Sequence, residues 1–142
     1  MSNSVVVGRN LSRHYEVGGG ILRKPGLVKA LDGASFTLEP GRTLAVVGES
    51  GCGKSTLARL VSMIEEPTGG TLEIDGSSAV VGSVEHRKVV QIVFQNPFGS
   101  LNPRHKIGRI LEEPLFLNTD MDATARRKKA EDTMERVGLR PE

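Results

Sequence analysis

Near its middle the chain reads Gly48-Glu49-Ser50-Gly51-Cys52-Gly53-Lys54-Ser55-Thr56. This stretch matches the pattern G-x-x-x-x-G-K-[ST], which is typical of a glycine-rich loop that holds phosphate groups between a strand and a helix. The apolar residues 43–47 precede the stretch and predict the strand. Residues 54–64 follow it, with apolar side chains at the i, i+3, i+4, i+7 spacing of an amphipathic helix. Because both neighbours have the required pattern, the stretch predicts a phosphate-binding loop in an α/β fold.

The residue types in this stretch suit a nucleoside triphosphate. Gly48, Gly51 and Gly53 let successive backbone N–H groups turn inward around phosphate oxygens, and the start of the following helix adds free N–H groups and a positive dipole end. Lys54 supplies a mobile charge for the β- and γ-phosphates, and the Ser55 hydroxyl can ligate Mg²⁺. The remaining nucleotide-binding candidates in the loop are Glu49, Ser50, Cys52 and Thr56.

The composition is that of a globular protein. The chain has 142 residues, of which 37% are apolar and 25% charged, with a net charge of +2. These values exclude the intrinsically disordered class and argue against a strongly basic nucleic-acid binder, so no nucleic-acid partner is expected. No apolar run approaches the roughly 20 residues that cross a bilayer, which predicts a protein of the cytosol. The single cysteine, Cys52, is interpreted as a small residue that fills a tight loop rather than as a catalytic thiol.

Further elements follow from apolar periodicity and from turn residues. Strands are predicted at residues 5–7, 34–38, 43–47, 71–74 and 89–94, and a surface loop at residues 18–26. A short helix is predicted at residues 84–88, and the two prolines within residues 95–104 predict an ordered loop. A helix over residues 107–113 is expected to stop at Pro114. The last helix is expected to begin at Asp120 or Asp122 and to run to Val137, with Gly138 as its C-terminal cap.

A phosphate loop occurs in several classes of protein, so other residues must discriminate among them. A GTPase is expected to carry Asn-Lys-x-Asp and Asp-x-x-Gly, and neither string occurs in this sequence. A small-molecule kinase needs acceptor-binding and lid residues, for which the sequence offers no obvious place. A nucleotide-insensitive interaction protein on the same fold also remains open.

Three further runs, at residues 29–41, 66–72 and 91–97, together with the loop at residues 96–104, resemble the ATP-binding subunits of ABC transporters. The resemblance is greatest to the dipeptide, oligopeptide and nickel importer branch and spans nearly the whole chain. It implies a P-loop NTPase core with an amino-terminal antiparallel β subdomain. The β subdomain and phosphate loop would occupy about residues 1–95, and the Q-loop and the start of the helical subdomain about residues 95–142.

The resemblance also implies roles for residues outside the phosphate loop. Gln95 corresponds to the Q-loop glutamine, which positions Mg²⁺ and the attacking water. Tyr15, the only tyrosine, corresponds to the aromatic residue that stacks on adenine. The docking surface for the membrane subunits corresponds to Phe98, Gly99, Ser100, Leu101, Asn102, Pro103 and Arg104.

Other parts of the family's catalytic machinery are missing from this sequence. It contains no Leu-Ser-Gly-Gly-Gln-type signature, no apolar strand that ends in Asp-Glu, and no switch histidine after such a strand. We therefore expect an incomplete domain that at most binds Mg²⁺ and ATP and is inactive alone.

The resemblance implies that the longer subunit is an ATPase that pairs head to tail with a second ATP-binding subunit, identical or different. It would work with membrane permease subunits, and indirectly with an extracytoplasmic solute-binding protein, as a peripheral protein on the cytoplasmic face of the membrane.

Overall fold

The computed structural model describes residues 4–19 and 26–140 of the chain. The part of the expected surface loop at residues 20–25 lies outside the described residues. In chain order the elements are β1 (Val6–Val17), β2 (Gly26–Leu38), α1 (Lys54–Val61), β3 (Gly69–Ile74), β4 (Ser77–Ser78), α2 (Val84–Val89), a 3₁₀ turn (Pro97–Ser100), α3 (Ile107–Asn118) and α4 (Ala123–Arg136). The chain forms two compact units, one up to Gln91 and the other from Ile92 onward.

The first unit contains an antiparallel sheet with the strand order β2-β1-β3-β4. β1 pairs along its whole length with β2, from Val6 opposite Leu38 to Val17 opposite Gly26. It pairs with β3 on its other edge, where Val6 lies opposite Ile74. The expected amino-terminal antiparallel β subdomain is therefore confirmed.

The core of the first unit lies between this sheet and α1. Leu11 of β1, Ile74 of β3 and Leu60 of α1 are the largest fully buried side chains among the described residues. Leu72 and Met63 complete the contact between the sheet and the turn after α1. Because these apolar contacts hold α1 against the sheet, they also place the loop that precedes α1.

The second unit consists mainly of α3 and α4, which pack against each other. Asp122 caps α4, since its side chain accepts a hydrogen bond from the backbone N–H of Ala125 at 2.8 Å. Gly138 follows the helix with a φ of 78°. The C-terminal glycine cap is confirmed, as is Asp122 as one of the two expected N-terminal caps.

Two predicted strands are not formed. Residues 43–47 and 90–94 have no strand pairing among the described residues, and Val89 belongs to α2. Most of their side chains are exposed, with Val47 at 87% and Val93 at 91%, whereas Val90 is partly buried against the core of the first unit. The apolar pattern predicts an extended segment, but a strand also needs a neighbour that accepts its backbone hydrogen bonds.

Several element boundaries also differ from the expectations. β1 extends to Val17, and β2 is one strand from Gly26 to Leu38. α1 ends at Val61 instead of residue 64. α3 continues through Pro114 to Asn118, because packing against α4 can outweigh the loss of the backbone donor that the proline removes. Within the described ranges, no helix combines the length and the apolar character that crossing a membrane requires.

Candidate phosphate-binding site

The loop at residues 48–53 has a backbone that requires glycine at specific positions. Gly51 and Gly53 have φ values of 81° and 97°, in the left-handed region that other residues rarely adopt. A Cβ on Gly53 would lie 2.7 Å from the carbonyl oxygen of Ala30 in β2, and a Cβ on Gly48 would lie 2.7 Å from Sγ of Cys52. The loop is therefore packed closely against Cys52 at Gly48 and against the sheet at Gly53, whereas the space beside Gly51 is open.

The start of α1 presents an uncompensated helix N-terminus. Gly53 is the N-terminal cap, and its carbonyl accepts the first helical hydrogen bond from Leu57 at 2.8 Å. No side chain caps the helix, and its first turn contains no acidic residue. The positive end of the helix dipole therefore faces the loop without an acidic residue in the first turn to balance it, which favours a bound phosphate.

Lys54 lies folded back over the loop. Its Nζ donates hydrogen bonds to the backbone carbonyl oxygens of Gly48 at 2.8 Å and Glu49 at 2.5 Å. The ammonium group is thus held at the mouth of the loop by carbonyl oxygens, which a phosphate oxygen can replace as a stronger partner. Ser55, in the next position of α1, is exposed and available to a metal ion.

Tyr15 lies near the end of β1 and is half-buried. Its hydroxyl donates a hydrogen bond to Oε2 of Glu65, in the turn after α1. The guanidinium carbon of Arg13 lies 4.7 Å from the centroid of the tyrosine ring, which is the geometry of a cation–π contact. Tyr15 therefore has both its hydroxyl and one face of its ring in contact with charged groups.

Glu65 is the centre of this cluster. Its Oε2 accepts a hydrogen bond from Nε of Arg13 at 3.2 Å, and its Oε1 accepts one from the guanidinium of Arg59 at 3.2 Å. The hydrogen bond from Tyr15 and the charges of Arg13 and Arg59 lower the pKa of Glu65, although partial burial opposes them. The carboxylate is accordingly held in its charged form.

The sequence interpretation missed Arg13, Arg59 and Glu65. The alternation of β1 could have placed Arg13 and Tyr15 on one face of the strand, because they are two residues apart. No local pattern connects either residue to Glu65, which the register of β1 and the packing of α1 bring to them.

The remaining predicted site residues belong to the second unit. Gln95 is exposed and follows residues 90–94, which belong to no strand of the described sheet. The predicted docking segment contains the 3₁₀ turn, where Phe98 is 85% exposed. Asn102 orders the end of the segment, since its side chain accepts a hydrogen bond from the backbone N–H of Arg104 at 3.0 Å. The structure thus gathers residues 48–56 in the first unit and residues 95–104 in the second.

Two curated proteins have sequences similar to this chain. The chain is similar to the di/tripeptide transport ATP-binding protein DppF of Pseudomonas aeruginosa, with 54% identity over 98% of this chain and 44% of that protein. It is also similar to the dipeptide transport ATP-binding protein DppF of Haemophilus influenzae, with 59% identity over 93% of this chain and 42% of that protein. The chain therefore spans less than half the length of these curated relatives.

The chain is also similar to a solved structure, and a family model matches most of its length. The ATP-binding cassette MJ0796, solved as a dimer in a post-hydrolysis state with ADP and phosphate, matches with a TM-score of 0.74 and 25% identity. The match covers 94% of this chain and 57% of that one. The family model described as ABC transporter matches residues 31–142, which include the phosphate loop. The chain therefore belongs to the ABC transporter family.

Proposed function

We propose that this chain binds Mg-ATP at the phosphate loop and is part of the ATP-binding subunit of an importer for dipeptides or oligopeptides. The observation that carries the proposal is the glycine cradle at residues 48–53, closed by Lys54 and followed by an uncapped helix N-terminus. The high identity to dipeptide transport proteins supports the peptide branch.

The residues of the loop fit a nucleotide and its metal ion. In the bound state Lys54 exchanges its carbonyl partners for phosphate oxygens, and the backbone N–H groups of the loop and of the first turn of α1 hold the remaining phosphate charge. Ser55 and Gln95 would ligate Mg²⁺, which neutralises phosphate charge when bound. Tyr15 would stack on the adenine ring. Glu49, Ser50, Cys52 and Thr56 would line the same cradle.

Hydrolysis requires groups that this sequence does not contain. The chain holds the cradle and Gln95, which would orient water, but no glutamate at the end of an apolar strand to serve as a base. We therefore propose that the 142-residue chain binds ATP without hydrolysing it, and that a longer subunit performs the reaction as a dimer.

The segment at residues 98–104 is the proposed contact with the permease subunits. An exposed aromatic residue such as Phe98 is typical of the centre of a protein interface. Such contacts would hold the subunit at the cytoplasmic face of the membrane. The second ATP-binding subunit, and indirectly a solute-binding protein, would complete the importer.

The test of the proposed function is the affinity of the chain for Mg-ATP, measured by calorimetry. Lys54→Ala should weaken binding at least about tenfold, the loss of one charge-assisted contact, while the circular dichroism spectrum stays the same. Lys128→Ala is the matched control, because it removes the same charge from an exposed position on α4. Equal affinity of the Lys54 variant and the parent would contradict phosphate binding at this loop and favour an interaction protein.

A further inference from the structure

Glu65 connects the two parts of the first unit that the proposed function assigns to the nucleotide. Its Oε2 contacts Tyr15 and Arg13 on β1, and its Oε1 contacts Arg59 in the last turn of α1. α1 is the helix whose first turn follows the phosphate loop. A single carboxylate thus ties the tyrosine to the far end of the phosphate-binding helix.

These contacts restrict the tyrosine ring to one orientation. The bond from the hydroxyl to Glu65 fixes the position of the hydroxyl oxygen, which lies on the axis about which the ring turns, so a second contact is needed to fix the plane of the ring. The Arg13 guanidinium lies over one face at 4.7 Å and itself donates a hydrogen bond to the backbone carbonyl of Glu66 at 3.0 Å. Because Glu65 and the backbone of Glu66 both hold Arg13, its guanidinium keeps one face of the tyrosine ring covered. A planar base can therefore stack only on the other face of the ring.

We propose that Glu65 is a positioning residue that orients Tyr15 for the adenine ring of ATP and fixes the position of this tyrosine relative to α1. The inference rests on the proposed function, because it concerns how the same site recognises its base. Among the described residues, the hydrogen bonds of Glu65 and Arg13 reach Tyr15, Arg59, each other and the backbone of Glu66, so we expect them to act through Tyr15 and Arg59. The arrangement would therefore affect binding of the base separately from binding of the phosphates.

Tyr15 itself provides the direct reporter. It is the only tyrosine of the chain, which contains no tryptophan, so the ultraviolet emission of the protein reports on this side chain. A carboxylate that accepts a hydrogen bond from the phenol hydroxyl quenches tyrosine emission. Glu65→Gln should therefore raise the emission relative to the parent. Glu66→Gln is the matched control, because it removes the same charge one residue away at an exposed position, and it should leave the emission unchanged.

Two ligands separate the base from the phosphates. With Mg-ATP, Glu65→Gln should weaken binding roughly tenfold, which corresponds to one charge-assisted hydrogen bond. With inorganic triphosphate and Mg²⁺, the affinity of the same variant should equal that of the parent. Tyr15→Phe retains the ring but lacks the hydroxyl, so it should lose the same affinity for Mg-ATP, and the two substitutions together should cost no more than either alone.

Three results would overturn the positioning role. The first is unchanged emission in Glu65→Gln, which would mean that the contact does not form in solution. The second is an equal loss of affinity for Mg-ATP and for triphosphate, which would mean that Glu65 supports only the fold. The third is that the parent chain binds neither Mg-ATP nor triphosphate although Glu65→Gln changes the tyrosine emission. In that case the contact exists, but the proposed nucleotide binding is wrong, and the positioning role is wrong with it.

Discussion

Replacing Gly53 by alanine should destabilise the chain more than the same replacement at Gly51. Both glycines have positive φ values, 97° and 81°, so alanine costs about 1–2 kcal/mol of backbone strain at either position. At Gly53 the new Cβ would also lie 2.7 Å from the backbone carbonyl oxygen of Ala30 and 3.2 Å from Leu31, whereas at Gly51 it would meet open space.

The close approach at Gly53 sets the size of the difference. A carbonyl oxygen of a paired strand cannot move aside as a flexible side chain can, so overpacking should add about 1–3 kcal/mol to the strain. We therefore expect Gly51→Ala to lower the free energy of unfolding by about 1–2 kcal/mol and Gly53→Ala by about 2–5 kcal/mol.

Urea unfolding followed by circular dichroism measures this difference directly. The free energy of unfolding typically falls by about 1–3 kcal/mol per molar urea, so the urea midpoint for Gly53→Ala should lie on the order of 1 M below that for Gly51→Ala. Equal midpoints for the two variants would refute the reasoning, because they would mean that the loop does not lie against β2.

Three further predictions concern other parts of the chain. Asp122→Ala removes the cap of α4 and should lower the free energy of unfolding by about 1 kcal/mol, which a thermal melt with Asp122→Asn as control can measure. The pKa of Glu65 is lower in the folded chain than in the unfolded chain, so its charge stabilises the fold at any pH above the ordinary pKa of glutamate. This contribution is lost as the pH falls through the pKa of the folded state. Glu65→Gln should therefore reduce the acid-induced fall of the urea midpoint, and parallel pH profiles of parent and variant would contradict this. Phe98→Ser should change the free energy of unfolding by less than about 0.5 kcal/mol, because the side chain is 85% exposed, while binding to purified permease subunits in a pull-down assay should be lost. Retained binding would remove Phe98 from the proposed docking surface.

Features that depend on short-range chemistry were predicted from the sequence. The glycine-rich loop and the start of α1 follow from residue types within one turn of each other, and the structure places both where the pattern does. The cap of α4 at Asp122 and its glycine end at Gly138 are local in the same way. The sequence patterns that predict these features do not depend on which strands are neighbours in the sheet.

Several features that depend on distant partners were predicted wrongly from the residues alone, although the family resemblance did predict the antiparallel β subdomain. Residues 43–47 and 90–94 have the composition of buried strands, yet the described sheet does not include them, and side chains such as Val47 and Val93 are exposed. The helix through Pro114 was missed for a related reason, since packing between α3 and α4 can outweigh a local breaker.

The glycine-rich loop and its proposed use in phosphate binding were thus readable in the order of its residues, because glycine, lysine and serine at that spacing are typical of a phosphate loop. The surroundings of Tyr15 were not readable in this way. Glu65 is distant from Tyr15 in the chain, and it reaches the tyrosine only because α1 packs on the sheet and because β1 extends to Val17. Local backbone chemistry specifies the phosphate cradle, whereas the tertiary packing of a helix on a strand brings together the charges around the proposed adenine site.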